Sequence, residues 1–277
     1  RSEMEPVRFA FSVPMPVGGI VSATQIVSLR TVGGVQLDQW VASNQTRLTW
    51  SRESRETSRC ELAVINDGYR PEDIQPWLHW IDVFDDQGQT LLWSGPVTGR
   101  SIGRDQVSVS ARDLSALASK TRTRLTKRWD AVDPAVVAGE HYRELIDHHG
   151  LNTKAMVRND PLGDTFDFSS LADDTQTDGV ISQLVGMGLH WTVVRGVPIL
   201  GPLDRKPVAA LGEDDFMGGG ITLTCDGTAF ANDILLRAAD NIAHAIVPAG
   251  GLAFQVTVEV NDMFGASNAD KAVVQYA

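Results

Sequence analysis

Histidine and carboxylate at helical spacing are the first residues whose types suggest chemistry. His141, Glu144 and His148 follow one another at intervals of three and four in a stretch that reads as helix, which sets them on one face. With His149 they make an imidazole and carboxylate set of the kind that suits zinc. His148 and His149 also fall in the last turn of that helix, where the helix dipole favours cationic side chains without any metal. A solvated helix end outweighs a metal site for this group, so no metal or other cofactor is expected.

Acidic residues gather at Asp173, Asp174 and Asp178, and again at Glu213, Asp214 and Asp215. Two carboxylates at the right separation can cleave a glycosidic bond. Adjacent carboxylates in polar, turn-like sequence more often cap helices or cover loops. Trp40, Trp77 and Trp129 could stack on sugars, but isolated tryptophans are more often core or interface. Gly218-Gly219-Gly220 precedes a strand-like run, so it offers no helix N-terminus to a phosphate. Cys60 and Cys225 match no metal-ligand spacing and read as buried free thiols in a reducing cytosol. The sequence contains no nucleophile elbow, no H-E-x-x-H, no Walker loop and no G-x-G-x-x-G opening a helix. No catalytic, cofactor-binding or metal-ligating residue can be assigned, and the chain reads as a structural protein, not an enzyme.

The net charge of −11 argues against a DNA-binding surface, which needs clustered Lys and Arg. Arginines do gather at Arg47, Arg52, Arg55 and Arg59, but Glu53, Glu56 and Glu61 interleave with them, as on a salt-bridged solvated face. Arg122, Arg124, Lys127 and Arg128 form a second group. No apolar run approaches the length of a membrane span, and Arg1-Ser2-Glu3-Met4-Glu5 is too charged to open a signal peptide. The chain does not begin with Met, and Lys271 to Ala277 reads as an apolar, strand-like run without a stop signal. The natural protein is therefore expected to continue past Ala277.

The elements that must position these groups fall into three parts, in an α+β chain that is mainly β. Residues 1–113 read as an antiparallel meander closed into a small barrel. Its strands are Arg47 to Arg52, Cys60 to Ile65, Leu78 to Phe84, Thr90 to Ser94 and Gln106 to Ala111, with Gly95-Pro96 as a strand break. Residues 114–205 read as an inserted α/β domain. There a helix spans Leu114 to Leu125 behind Asp113, and a second, opened by Asp133-Pro134, runs to His149 and ends at Gly150. A third opens at Thr175 or Thr177 and closes near Gly188, followed by a hairpin of residues 190–194 and 197–200 around Arg195-Gly196. Residues 206–277 read as a second, possibly incomplete barrel, with strands at Ile221 to Cys225, Asp233 to Ala238 and Phe254 to Val260 and a turn at Asp226-Gly227.

One succession of strands is more than generic. Arg47-Leu-Thr-Trp-Ser-Arg-Glu53 is followed by Ser58 to Ile65, then Trp80-Ile-Asp-Val-Phe-Asp-Asp86, then Thr90-Leu-Leu-Trp-Ser-Gly-Pro-Val97, then Val107 to Leu114. This series resembles the opening barrel of tail-tip (baseplate) hub proteins of tailed phages, in particular the minor tail proteins of long-tailed phages infecting actinobacteria. The positions that carry it are Trp80 to Asp85, Leu91 to Val97 and Ala111 to Asp113, and residues 224–236 are similar to the return into a second barrel. The resemblance implies two tube-like barrels flanking an inserted domain, in a homotrimer that forms a pseudo-hexameric ring. Such a hub joins the six-fold tail tube or distal tail ring to the three-fold tip or fibre. Its implied partners are the distal tail ring, the tape-measure protein and the central fibre, with DNA passing through the lumen without specific binding. The implied location is the virion tail tip, assembled in the host cytoplasm. The acidic balance then suggests a lumen that repels phosphate.

Two other readings compete. A cell-wall- or carbohydrate-binding adhesin would use the tryptophans as sugar platforms. A wall hydrolase would use Asp173, Asp174 or Asp178. On the hub reading, Trp50, Trp80 and Trp93 belong mostly to the core.

Overall fold

Seven short runs with alternating side chains build the first sheet. The computed structural model describes residues 25–43, 45–160, 163–202, 231–247, 252–260 and 265–276. The strands are β1 (Ile26–Thr31), β2 (Gln36–Val41), β3 (Arg47–Trp50), β4 (Arg59–Ile65), β5 (His79–Phe84), β6 (Leu91–Ile102) and β7 (Gln106–Arg112). They form one antiparallel sheet in the order β2-β1-β5-β6-β7-β4-β3. The strand β6 is long enough to serve both halves: its first half pairs with β5 and its second with β7. The sheet thereby rolls around one core. Val27, Leu29, Ile81, Val83 and Trp93 from one half pack with Cys60, Leu62, Val64, Val107 and Val109 from the other. Ile74, fully buried in the loop before β5, belongs to the same core.

The expected closed barrel is not what forms. Among the described residues β2 and β3 are the two edges of the sheet and are not paired with each other. Five residues, 42–46, join them in sequence, so the edges lie near one another along an open seam. Side chains span it: the Trp50 indole donates to Gln25 Oε1 at 3.0 Å, and the Trp40 indole donates to the Tyr69 hydroxyl at 3.0 Å.

A second difference lies at Gly95-Pro96, where β6 continues instead of breaking. Pro96 stands where the strand changes partners, beside a bulge between Val97 and Gly99, so its missing N–H does not interrupt a ladder. Gly95 is required by proximity: a Cβ there would lie 1.9 Å from the Arg112 carbonyl oxygen.

The chain divides into two compact units. The first holds this sheet, the chain up to Leu117, Leu151–Thr153 and Thr192–Pro198; the second holds Ala118–Gly150, Lys154–Trp191 and the chain from Ile199 on. A 3-10 helix covers Leu114–Lys120 and stops short of the expected end at Leu125. The backbone of Thr121 and Thr123 is instead taken up at the start of the helix that opens at Thr177, through Thr123 N to Thr175 O and Thr177 N to Thr121 O.

The remaining elements are β8 (Lys127–Val132), α1 (Pro134–His148), β9 (Met156–Val157), β10 (Phe166–Ser170), α2 (Thr177–Gly186), β11 (Trp191–Val194), β12 (Val197–Leu200), β13 (Asp233–Ala238), β14 (Ile242–Ile246), β15 (Gln255–Val260) and α3 (Ala266–Tyr276). Asp133 caps α1 by accepting from Ala135 N at 2.8 Å, and Gly150 leaves it with φ of 61°. The hairpin of β11 and β12 turns at Arg195 and Gly196, both at positive φ, as a two-residue turn demands. Strands β8 and β10 pair antiparallel, β12 pairs with β9, and β14-β13-β15 form a three-stranded sheet in which β13 and β15 run parallel. No second barrel is seen among the described residues. The run from Lys271, expected as strand, lies in α3, whose Ala269, Ala272 and Val273 are buried at helical spacing. The readings at Glu213 to Asp215, Gly218 to Gly220, Ile221 to Cys225 and Asp226-Gly227 lie outside the described residues.

Candidate functional site

The residues first singled out for chemistry are not brought together. His141 is 2% exposed on the buried face of α1, its ring 5.7 Å from that of Trp129. Its Nε2 has no hydrogen-bond partner, and burial pushes its pKa down to about 4, against the smaller opposing effect of Glu140. It is a neutral packing residue. His148 is exposed, while His149 Nε2 lies 2.7 Å from Thr121 Oγ1 and is held below the usual histidine range by burial, His148 and Arg124. Among the described residues no three His, Cys, Asp or Glu side chains are placed to share a metal ion.

The carboxylates of Asp173, Asp174 and Asp178 are exposed at the entry to α2, where Asp173 pairs with Arg122 at 3.5 Å. Cys60 is buried, and desolvation, aided by Glu61, raises its thiol pKa, so the group is inert. Cys225 lies outside the described residues. The tryptophans do not form a sugar platform. Trp80, Trp93, Trp129 and Trp191 are buried, Trp40 and Trp50 are partly buried along the seam, and Trp77 alone reaches 36% exposure.

Two polar clusters hold the first unit in shape, the first of them unanticipated from the sequence. Asp82 lies on the face of β5 away from the core yet is 7% exposed. Its carboxylate accepts from Arg30 Nε at 2.5 Å, Arg30 Nη2 at 3.2 Å and Ser94 Oγ at 2.6 Å. The Arg30 guanidinium also stacks 5.1 Å from the Trp80 ring. The turn glycine Gly196 sits against Ser94, where an added Cβ would come within 3.3 Å of the Ser94 Cβ. Thr153 Oγ1 and Thr192 Oγ1 tie that hairpin down by donating to Gly196 O and Glu53 O. Asp82 stands as one polar residue inside the apolar run Trp80 to Phe84, which is the signal that could have found it.

The second cluster is at Asp113, 2% exposed where β7 ends. Its carboxylate accepts from Ser58 N at 2.6 Å, Ser115 N at 2.9 Å and Ser115 Oγ at 2.5 Å. Burial raises its pKa and these hydrogen bonds oppose the rise. This Asp was legible as a helix cap, and it also fixes β4 to the end of β7.

The first unit also exposes apolar side chains. The hairpin of β1 and β2 exposes Val32, Val35, Leu37 and Val41, at 38, 64, 46 and 50%. Leu37 and Val41 stand on an edge strand whose outer backbone groups meet no strand among the described residues. An apolar edge strand is a liability for a monomer and an asset for an assembly. This edge, rather than a pocket, is the candidate functional feature of the unit.

No family model matches the chain, and no curated protein matches its sequence. Among solved structures the chain is similar to a tail protein from Neisseria meningitidis MC58, at 15% identity and a TM-score of 0.58, covering 91% of this chain and 75% of that one. The 43 kDa tail protein of prophage MuSo2 from Shewanella oneidensis matches at 14% identity and 0.58, over 90% of this chain and 76% of that one. Prophage tail protein gp18 from Listeria monocytogenes EGD-e matches at 11% and 0.52, over 85% and 72%. The rolled sheet and the elements that follow it are the fold of these phage tail proteins.

Proposed function

We propose that the chain is a structural subunit of a phage tail tip. Three copies form a hub that joins the six-fold tail tube or distal tail ring to the three-fold tip or fibre and lines the DNA channel. The observation that carries this reading is the rolled but unclosed sheet, with the apolar edge strand β2, in a chain that shares its fold with three tail proteins over most of its length. Pairing of edges between subunits would complete the tube-like barrels and remove the exposed edges. Residues 1–113 and 206–277 then serve as the tube-like parts and 114–205 as the insertion. The distal tail ring, tape-measure protein and central fibre are the partners, and the subunit carries no catalytic role.

The competing adhesin reading is left with scattered indoles, since Trp129 is buried, Trp40 is partly buried and Trp77 stands at 36% exposure. The test is the mass of the purified chain in solution. A species of about 90 kDa, three times the 30.1 kDa of one chain, is expected at micromolar concentration. A chain that stays monomeric both alone and when mixed with its tail partners would overturn the trimer.

A further inference from the structure

The four strands β3, β4, β7 and the second half of β6 have an outer face, opposite the core, of unusual composition. The register places Arg47, Thr49, Arg59, Glu61, Ala63, Ser108, Ser110, Arg112, Gly99 and Ser101 on it. Each is exposed or half-exposed. The centre is made of short side chains, mostly hydroxyls, and the charge comes from three arginines against one glutamate. Glu61 is occupied by Ser110 Oγ at 2.7 Å, and among the described residues Arg47, Arg59 and Arg112 have no ion pair.

One detail asks for an external anion. Arg59 stands directly opposite Arg112 across the β4–β7 ladder. Like charges at facing positions destabilise a sheet, and among the described residues the one carboxylate on this face, Glu61, forms an ion pair with neither. In a chain of net charge −11, a local excess of two positive charges on a flat surface is a contrast, not an average. A stable protein partner would need buried aromatic or aliphatic anchors. This face offers only Ile65, at its far end. It also carries no aromatic side chain on which an unpaired base could stack. Short hydroxyls flanked by arginines instead suit the phosphate backbone of a duplex, contacted without reading its bases.

We propose that this face contacts the passing double-stranded DNA, weakly and without sequence preference, through Arg47, Arg59 and Arg112. The inference rests on the hub reading and sharpens it: the channel is not uniformly repellent but carries one phosphate-facing patch per subunit. The central Glu61 keeps the contact weak enough to slide.

The test is fluorescence anisotropy of a labelled duplex of about 20 base pairs of arbitrary sequence, titrated with the full chain at several salt concentrations. Three phosphate contacts from a single patch predict a slope of about −2.7 in log affinity against log salt, or a loss of about 40-fold between about 25 and 100 mM, and a trimer that presents several patches to one duplex a steeper slope. The triple variant R47S/R59S/R112S should lose both the binding and the slope while unfolding at an unchanged or higher temperature. Absence of binding at the lowest salt would overturn the proposal, as would binding that the triple variant retains or tighter binding to a single strand of the same length. The solution mass separates the two readings. A trimer without duplex binding overturns only this inference, whereas a persistent monomer that binds DNA through these arginines overturns only the hub.

Discussion

His141 shows how little of a residue's role lies in its type. At spacing of three from Glu144 and seven from His148 it looks like a ligand, yet α1 turns it inward against Trp129. The periodicity that made a shared face also made a buried one, and spacing alone does not say which side of a helix meets the core. Its pKa has a measurable consequence. The unfolded chain takes up a proton near 6.5, whereas the folded chain does so only near 4. Stability from keeping the ring neutral is thus fully present above about 6.5 and is lost as pH falls toward 4, by about 3 kcal/mol in all. We expect His141→Leu to be at least as stable as the parent at pH 5 and to flatten the decline between pH 7 and 4. Urea unfolding at a series of pH values measures it, and an unchanged decline would show that other groups govern acid stability. The Asp82 cluster, by contrast, was hidden because its partners Arg30 and Ser94 come from strands 52 and 12 residues away. Only the polar residue inside an apolar run hinted at it.

At the scale of elements, strands with clean alternation were legible, and β3, β4, β5, β7, β13 and β15 lie where the residues put them. So was α1, whose Asp-Pro start and Gly stop are local signals. Of the elements missed or misread, three have plain physical reasons. The strand β8 buries only Trp129 toward α1, leaving no period to detect. The helix α3 carries adjacent valines that imitate a strand, and only the spacing of its buried residues declares the helix. Gly95-Pro96 reads as a break because local rules cannot know that the Arg112 carbonyl passes where a Cβ would stand. That close approach predicts that Gly95→Ala costs about 3 kcal/mol through forced separation of β6 from β7. Gly99→Ala, four residues on, meets only Ser110 Cβ at 3.9 Å and should change stability by less than about 0.5 kcal/mol. Chemical denaturation of the two variants separates a constraint of crossing strands from a general intolerance of side chains on β6.

Among the described residues, one unit of the chain is a rolled sheet with an open seam and an exposed edge strand, and the other consists of small sheets and helices. Neither the seam nor the edge was legible, since alternation fixes which side chains face the core but not whether the last strand finds the first. On the proposed hub reading, copies of the chain would supply the missing strand partners, and the openness of the sheet would serve assembly. The account is tested most directly by averaged electron images of purified phage particles containing this chain, with its N-terminus carrying a density label. We predict three labels around the axis at the tail tip, at the junction of tube and fibre. Labels absent from the tail, or spread along its length in rings of six, would contradict the hub.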